Sequence, residues 1–189
     1  MPQHLRVISG TAGGRRLSAP RDDSIRPTAG RVKEAIFSAL ASRERILNAE
    51  VLDLYAGTGA LAIEALSRSA AHAVLVENEP AAIEIVRRNL SVTGTANAAS
   101  VVAADAGAFL GGPPPAHAPF DLVLCDPPYE VESAALDKLL VPLGTREWTN
   151  EEALVVVERP VGVASPAVAG LRIVWERKFG DTLVFFLSA

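Results

Sequence analysis

The chain has 189 residues, of which 49% are hydrophobic and 21% are charged, as in an ordinary soluble globular protein. This composition excludes a disordered or collagen-like chain, and no apolar run reaches the roughly 18 residues that a membrane helix needs. A single cysteine, Cys125, excludes an intramolecular disulfide and a cysteine-rich zinc site. We therefore expect a cytoplasmic protein without a secretory signal, a membrane partner or a bound metal.

Charge is distributed unevenly along the chain. Residues 1–45 hold nine basic and four acidic side chains, a net charge of +5, whereas residues 46–189 hold nine basic and eighteen acidic ones, a net charge of −9. Fifteen of the eighteen basic residues are arginine, which pairs with phosphate through two parallel hydrogen bonds. The asymmetry predicts a basic N-terminal arm over residues 1–27 and a larger domain over residues 28–189. The arm either binds a polyanion or is a solvated charged segment.

The first elements are predicted from turn residues and helical spacing. The segments LRVIS (5–9) and RRLSA (15–19) predict the two short strands of a β-hairpin, with TAGG as its turn. A helix follows, with Thr28 as its predicted N-cap, because apolar residues recur at helical spacing from Val32 to Leu40.

Strands and helices then alternate to the end of the chain. Strands are predicted at 51–55, 73–77, 100–105, 120–125, 153–158, 171–177 and 182–188, and helices at 60–68, 80–90 and 132–143 with a short helical turn before 110. This order predicts an α/β fold with a seven-stranded, mostly parallel, doubly wound sheet that ends in an antiparallel hairpin. Ligands of such sheets bind beyond the carboxyl ends of the strands.

The first predicted strand runs into the motif Asp53-Leu-Tyr-Ala56-Gly57-Thr-Gly59. Its glycines allow a sharp turn and a close approach of ligand to backbone. Glu77 ends the next strand, followed by Asn78, and a carboxylate there can accept hydrogen bonds from both hydroxyls of a ribose. The combination predicts a nucleoside pocket, although the glycines alone also fit an ordinary βα turn.

Asp53 indicates which nucleoside the pocket takes. A dinucleotide places a pyrophosphate near the helix N-terminus, and a nearby carboxylate would repel it. A carboxylate suits a cationic ligand such as S-adenosylmethionine, so a nicotinamide dehydrogenase is disfavoured. Asp105 ends the third strand, before Ala106, where it could contact the adenine amino group, cap the next helix, or do both.

The fourth strand ends in Asp126-Pro127-Pro128-Tyr129. Two prolines remove two backbone donors and stiffen the loop, which leaves the Asp126 carboxylate and the Pro127 carbonyl as acceptors. Tyr129 adds a flat face on which a base can stack. Acceptors that hold the hydrogens of an exocyclic amino group aim its lone pair at a methyl donor, so these four residues are the predicted catalytic set.

Several segments resemble one known family. RVISGTAGGRRL (6–17), IRPTAGRVKEAIFSAL (25–40), DLYAGTGALAIEALSRSAAHAVLVE (53–77) and DPPY (126–129) look like those of the RsmD-type 16S ribosomal RNA guanine-N2 methyltransferases. The resemblance implies the class I methyltransferase fold, S-adenosylmethionine as donor and S-adenosylhomocysteine as product. It implies transfer to N2 of one guanosine, nucleotide 966 in the family, in 16S rRNA within a small-subunit particle.

The arginines of the arm and of the following helix are the predicted RNA contacts: Arg6, Arg15, Arg16, Arg26 and Arg31. Two other functions stay open at this point. A DNA adenine-N6 or cytosine-N4 methyltransferase would use the same chemistry, although the chain has no obvious target-recognition domain that would read a duplex sequence. A non-catalytic ribosome-assembly protein with a vestigial cofactor site is the second alternative.

Overall fold

A computed structural model describes residues 5–19 and 27–188. Five α-helices are present in this part of the chain: α1 (Pro27–Ala41), α2 (Ala60–Ser67), α3 (Pro80–Thr93), α4 (Ala106–Leu110) and α5 (Ser133–Leu140). Seven strands accompany them: β1 (Glu50–Leu54), β2 (His72–Glu77), β3 (Ala99–Ala103), β4 (Phe120–Cys125), β5 (Thr149–Pro160), β6 (Arg172–Phe179) and β7 (Thr182–Ser188).

The strands form one sheet in the order β3-β2-β1-β4-β5-β7-β6. Strands β1 to β5 are parallel, and β7 pairs antiparallel with both β5 and β6. The predicted seven-stranded α/β fold with its antiparallel C-terminal hairpin is thus confirmed. Chain order reverses between β1 and β4, and a ligand crevice forms at such a switch point.

The core has one layer on each face of the sheet. Alternate strand residues such as Leu52 and Val123 pack against α4 and α5, whereas Val51 and Leu124 pack against α1, α2 and α3. Because both faces are covered, the central strands consist almost entirely of apolar residues. This packing fixes the strand ends from which the site is built.

Strand β5 and helix α1 do not begin where they were predicted. Strand β5 begins at Thr149 and not at residue 153, because Thr149 pairs with Phe120 before a register shift, after which Leu154 pairs with Leu122. The polar residues between Thr149 and Leu154 obscure this start. Helix α1 begins at Pro27, so Thr28 lies inside the helix and not at its N-cap. A proline at the first helical position needs no hydrogen-bond partner for its nitrogen.

The predicted N-terminal β-hairpin is not formed as two strands. The only β-pairing within residues 5–19 is one antiparallel bridge between Arg6 and Arg16. Val7 and Leu17 of this segment are buried in the core with α1 and α2. Gly10 has a φ of 85° and packs so closely on α2 that a Cβ atom would collide with the Ser67 carbonyl. Backbone hydrogen bonds between its two arms, from the Val7 N–H to the Arg15 carbonyl at 3.0 Å and from the Leu17 N–H to the Leu5 carbonyl at 2.8 Å, hold this segment together with its packing on the helices.

No helix in residues 5–19 or 27–188 has the length and hydropathy needed to cross a membrane.

Candidate active site

A cleft of about 600 Å³ opens at the carboxyl edge of the sheet. Residues of the β1–α2 loop, the end of β2, the loop after β4 and the end of β5 line it. Leu5 and Lys33 from the N-terminal segment and α1 complete its wall. The volume lies within the range of roughly 300–1,000 Å³ that is usual for small-molecule sites. Most of the predicted site segments therefore meet in one cavity.

Glu77 joins two of the loops that line the cleft. One carboxylate oxygen accepts a hydrogen bond from the Gly57 backbone N–H at 2.7 Å. The other accepts from the N–H groups of Asn78 and Glu79, each at 2.9 Å. These bonds fix the β1–α2 loop against the end of β2. The Glu77 carboxylate is thus held in the wall of the cleft, and its contact with a ribose stays a prediction.

The β1–α2 loop approaches the cleft with its backbone. Ala56 and Gly57 line the cavity, and Gly59 precedes the first turn of α2 with a φ of 74°. A side chain at Gly59 would be strained by this left-handed backbone and would press against Leu75. The loop thus places the free N–H groups of the α2 N-terminus beside the cavity.

Asp53 lies beneath this loop and does not line the cleft. Its side chain is 1% exposed, and its carboxylate accepts a hydrogen bond from the Ala62 backbone N–H at 3.0 Å. The pKa of Asp53 is raised to about 8, chiefly by burial; the Ala62 hydrogen bond offsets part of the shift, and the charges of Asp126 and Glu77 add to it. The geometry gives Asp53 a role in anchoring α2, and its contact with a cationic ligand stays a prediction.

Asp105 and Ala106 lie outside the lining of the cleft. Asp105 is the N-cap of α4, and its carboxylate accepts a hydrogen bond from the Ala108 backbone N–H at 3.0 Å. Ala106 is buried in the first turn of the helix. The capping interpretation of Asp105 is therefore confirmed, and its contact with an adenine stays a prediction.

The four predicted catalytic residues, Asp126 to Tyr129, all line the cleft. Pro127 is buried, whereas the Tyr129 side chain is 39% exposed and presents an aromatic ring at the surface of the cavity. The loop closes with a hydrogen bond from the Val131 N–H to the Pro128 carbonyl at 3.1 Å. A stiff loop with acceptors and a ring is suited to hold a planar base that carries an amino group.

Arg159 supports this loop and was not predicted from the sequence. Its side chain is 2% exposed, and Nη2 donates a hydrogen bond to the Val131 carbonyl at 2.6 Å. Its neighbour Glu158 lines the cleft. Burial raises the pKa of Glu158, and the charges of Asp126 and Asp53 raise it further. Two adjacent charged residues, Glu158 and Arg159, follow the apolar run of β5, and this sequence signal could have identified both.

Lys33 and Glu64 form a second unpredicted contact, on the other side of the cleft. Lys33 Nζ lies 3.1 Å from Glu64 Oε2 and donates to the Arg6 carbonyl at 2.7 Å. Glu64 also accepts from the backbone N–H groups of Ile8 and Ser9. Burial lowers the pKa of Lys33, which the charge of Glu64 partly offsets. The pair fixes the N-terminal segment beside the cleft, and charged residues within apolar helix stripes were its sequence signal.

The arginines that were predicted to contact RNA differ in their surroundings. Arg6 and Arg16 are exposed and face each other across the bridge that follows Leu5, a residue of the cleft wall. Arg15 is exposed but donates a hydrogen bond to the Val92 carbonyl at 2.7 Å. Arg31 is exposed on α1, and Arg26 lies outside the described residues. RNA binding by these arginines stays a prediction.

Solved structures share the fold of this chain. A hypothetical protein from Thermus thermophilus is 28% identical, with a TM-score of 0.79 over 98% of this chain and 99% of that one. The magnesium protoporphyrin IX methyltransferase of Synechocystis PCC 6803, solved with bound SAM, is 12% identical, with a TM-score of 0.69 over 90% of this chain and 86% of that one. The fold is that of the α/β methyltransferases.

Sequence relatives identify the family. The family model described as "Conserved hypothetical protein 95" matches residues 5–188. Ribosomal RNA small subunit methyltransferase D of Escherichia coli K12 is 37% identical over 164 residues, which cover 87% of this chain and 79% of that protein. The chain belongs to this family of methyltransferases, as its motifs predicted.

Proposed function

We propose that the protein transfers a methyl group from S-adenosylmethionine to the exocyclic N2 amino group of a guanosine in small-subunit ribosomal RNA. The observation that carries this proposal is the single cleft that joins the Gly57 loop and Glu77 to the loop Asp126–Tyr129. The Gly57 loop and Glu77 are suited to bind a nucleoside, and the loop Asp126–Tyr129 is suited to bind a base that carries an amino group. A relative that is 37% identical is named as a small-subunit rRNA methyltransferase.

The residues around the cleft fit S-adenosylmethionine. Glu77, Asp126 and Glu158 give the cavity an acidic lining, which suits a ligand with an ammonium and a sulfonium and no phosphate. Glu77 would hold the ribose, and the backbone at Ala56 and Gly57 would contact the rest of the nucleoside. When bound, this group supplies an electrophilic methyl on a positively charged sulfur.

The chain's own contribution to the reaction is positioning and electrostatics. Tyr129 stacks on the base, while the Asp126 carboxylate and the Pro127 carbonyl accept the amino hydrogens and direct the nitrogen lone pair at the methyl group. The N–C bond forms as the S–C bond breaks, sulfur retains that electron pair, and the nitrogen releases one proton to the Asp126 carboxylate. The proline loop, held by Arg159, keeps these acceptors fixed.

We also propose a target nucleotide and the particle in which it is methylated. We infer that the substrate is guanosine 966 of 16S rRNA within a small-subunit particle. Exposed Arg6 and Arg16 beside the cleft would neutralise phosphates of the target loop. A base reached in this way must be splayed out of its stack, which is easiest in a single-stranded loop.

Incubation with S-adenosylmethionine labelled in the methyl group, and with ribosomal subunits from a strain that lacks the enzyme, tests this proposal. We expect one label per small subunit, recovered as N2-methylguanosine after nuclease digestion and mass spectrometry. Free 16S rRNA in a parallel reaction tests the particle context, because we expect it to accept less label. Label on adenosine, on cytidine or on DNA would contradict the guanine-N2 assignment.

A further inference from the structure

Glu158 lies beside the predicted catalytic loop for a topological reason. In the parallel pair β4–β5, Cys125 is in register with Val157. Asp126 directly follows β4, and Glu158 is the next residue along β5, so the two lie at the same level and on the same side of the sheet. Both line the cleft. The cleft thus has two neighbouring carboxylates at the position where an amino-bearing base is expected.

The surroundings of Glu158 differ from those of the other cleft carboxylates. Glu77 and Asp53 accept hydrogen bonds from backbone N–H groups. Within residues 5–19 and 27–188, no hydrogen bond to the Glu158 carboxylate is formed. Burial and the negative charges of Asp126 and Asp53 disfavour its ionised form and raise its pKa. An N–H donor on a ligand would therefore stabilise this carboxylate strongly.

Guanine differs from the other amino-bearing bases at the atom next to the amino group. In guanine, N1 carries a hydrogen beside the N2 amino group, so three N–H bonds point from one edge. In adenine and cytosine, the ring nitrogen beside the amino group carries a lone pair. A carboxylate at this position attracts the N1–H of guanine and repels the ring nitrogen of the other two bases.

We propose that Glu158 is a specificity-determining residue that accepts the N1–H of the target guanine, while Asp126 and the Pro127 carbonyl hold its N2 amino group. This inference rests on the proposed guanine-N2 activity and assigns the residue that selects guanine. A site built to pair with an N–H rejects an analogue without it, here by on the order of 10²-fold or more in kcat/KM.

The test replaces the target guanosine by 2-aminopurine, which keeps the amino group at C2 but has a lone pair at N1. Site-specifically substituted 16S rRNA is reconstituted into small-subunit particles and methylated by wild-type protein and by Glu158→Gln. We expect the wild type to prefer guanosine by on the order of 10²-fold. In Glu158→Gln the preference should fall at least tenfold, because the amide N–H can donate to the N1 lone pair of 2-aminopurine.

Two further measurements keep the outcome interpretable. Glu132→Gln is the matched control, since Glu132 is an exposed acid at the start of α5 and does not line the cleft, and it should keep the wild-type preference. Circular dichroism and thermal unfolding report whether Glu158→Gln is folded. Equal rates of the wild type on the two bases would overturn the inference without any variant.

The outcomes also separate this inference from the proposed function. An unchanged preference in a folded and active Glu158→Gln protein would overturn the role of Glu158 and leave guanine-N2 methylation intact. If the wild type yields no N2-methylguanosine from particles that carry guanosine, the proposed function fails, and the inference fails with it.

Discussion

Two concave regions of similar size lie at opposite edges of the sheet. The cleft at the carboxyl edge has a volume of about 600 Å³, and a basin at the amino edge has about 550 Å³. The basin, which we call the arginine basin, is lined chiefly by charged side chains: Arg43, Arg45, Arg146, Arg172, Glu151 and Glu152. Volume therefore does not distinguish the two regions.

The polar groups of the two regions are held differently. In the arginine basin, Arg45 pairs with Glu152 at 2.7 Å and Arg146 lies 3.8 Å from Glu151, and these side chains are largely solvated. In the cleft, Glu77 is fixed by three backbone N–H groups, and burial raises the pKa of Glu158. Solvated pairs contribute little, whereas buried polar groups in fixed positions can do chemistry. Burial and backbone contacts, not volume or charge, distinguish the cleft from the arginine basin.

The largest expected effect comes from the loop Asp126–Tyr129. Asp126→Ala should lower turnover by on the order of 10²–10³-fold, because it removes a preorganised acceptor. Tyr129→Ala removes the stacking face, worth roughly 1–3 kcal/mol per base. Single-turnover methylation of particles measures both effects, with S-adenosylmethionine affinity nearly unchanged. Tyr129→Phe is the matched control and should be mild, and a normal rate for Tyr129→Ala would exclude the stacking role.

The next effect concerns cofactor affinity. Glu77→Ala removes a predicted charge-assisted bond to the ribose and also frees the Gly57 loop. A charged hydrogen bond contributes about 1.5–3 kcal/mol, so affinity for S-adenosylmethionine should fall about tenfold or more. Isothermal titration calorimetry measures this, with Glu84→Ala, an exposed acid of α3 outside the cleft, as control. Unchanged affinity in Glu77→Ala would remove the ribose contact from the site.

A third effect sharpens the role of the N-terminal segment. Arg6→Ala with Arg16→Ala should weaken binding to small-subunit particles by about tenfold at low salt, because two phosphate contacts are lost. The slope of log affinity against log salt should fall by about 0.7 per contact. S-adenosylmethionine binding should persist. Arg87→Ala with Arg88→Ala, an exposed pair on α3, is the control, and equal losses in both double variants would indicate a general charge effect.

The fourth effect is on stability and depends on pH. Folding raises the pKa of Asp53 from 3.8 to about 8, so between these values the folded protein holds a proton that the unfolded chain releases. The free energy of unfolding therefore falls as pH rises through this window. Asp53→Asn cannot titrate, so its free energy of unfolding should not decrease in this way. Relative to the wild type, the free energy of unfolding of Asp53→Asn should therefore rise by more than about 1 kcal/mol from about pH 5 to about pH 8. Denaturant unfolding followed by circular dichroism measures it, and parallel curves would mean that Asp53 stays ionised.

The smallest effect is expected in the arginine basin. Arg45→Ala breaks the pair with Glu152 and should change stability by about 1 kcal/mol or less, as exposed pairs do. Methylation and S-adenosylmethionine affinity should stay at wild-type values, since the basin lies at the far edge of the sheet. Thermal unfolding and the particle assay check both points. A loss of methylation as large as that of Tyr129→Ala would contradict the placement of the active site in the carboxyl-edge cleft.

The fold could be predicted because its signals are local. Apolar runs such as FDLVLC and the alternation of strands and helices determine the sheet, and β4 and β7 begin and end where the pattern places them. The start of β5 could not be predicted, because Thr149 joins the sheet only through its partner Phe120. In the N-terminal segment the chain reversal was predicted, and the Val7 N–H donates to the Arg15 carbonyl across it, but its packing against α2 was not predicted, because that contact joins residues distant in sequence.

The candidate site could be predicted where its residues follow strands, and not where they depend on distant partners. Loops after strands could be located, so Gly57, Glu77 and Tyr129 were named and all line the cleft. Residues that act through distant partners were missed: Lys33 needs Glu64, and Arg159 needs the Val131 carbonyl. Asp53 was predicted to face a ligand, but the hydrogen bond that holds it beneath α2 comes from Ala62, which only the folded helix places there.

The most direct test of the central claim is a crystal structure of the protein with S-adenosylhomocysteine. We expect the product in the carboxyl-edge cleft, with both ribose hydroxyls on the Glu77 carboxylate and the sulfur directed towards the loop Asp126–Tyr129. Density for the product in the arginine basin, or in the cleft with its sulfur directed away from Tyr129, would contradict the assignment of this cleft as the methyl-transfer site.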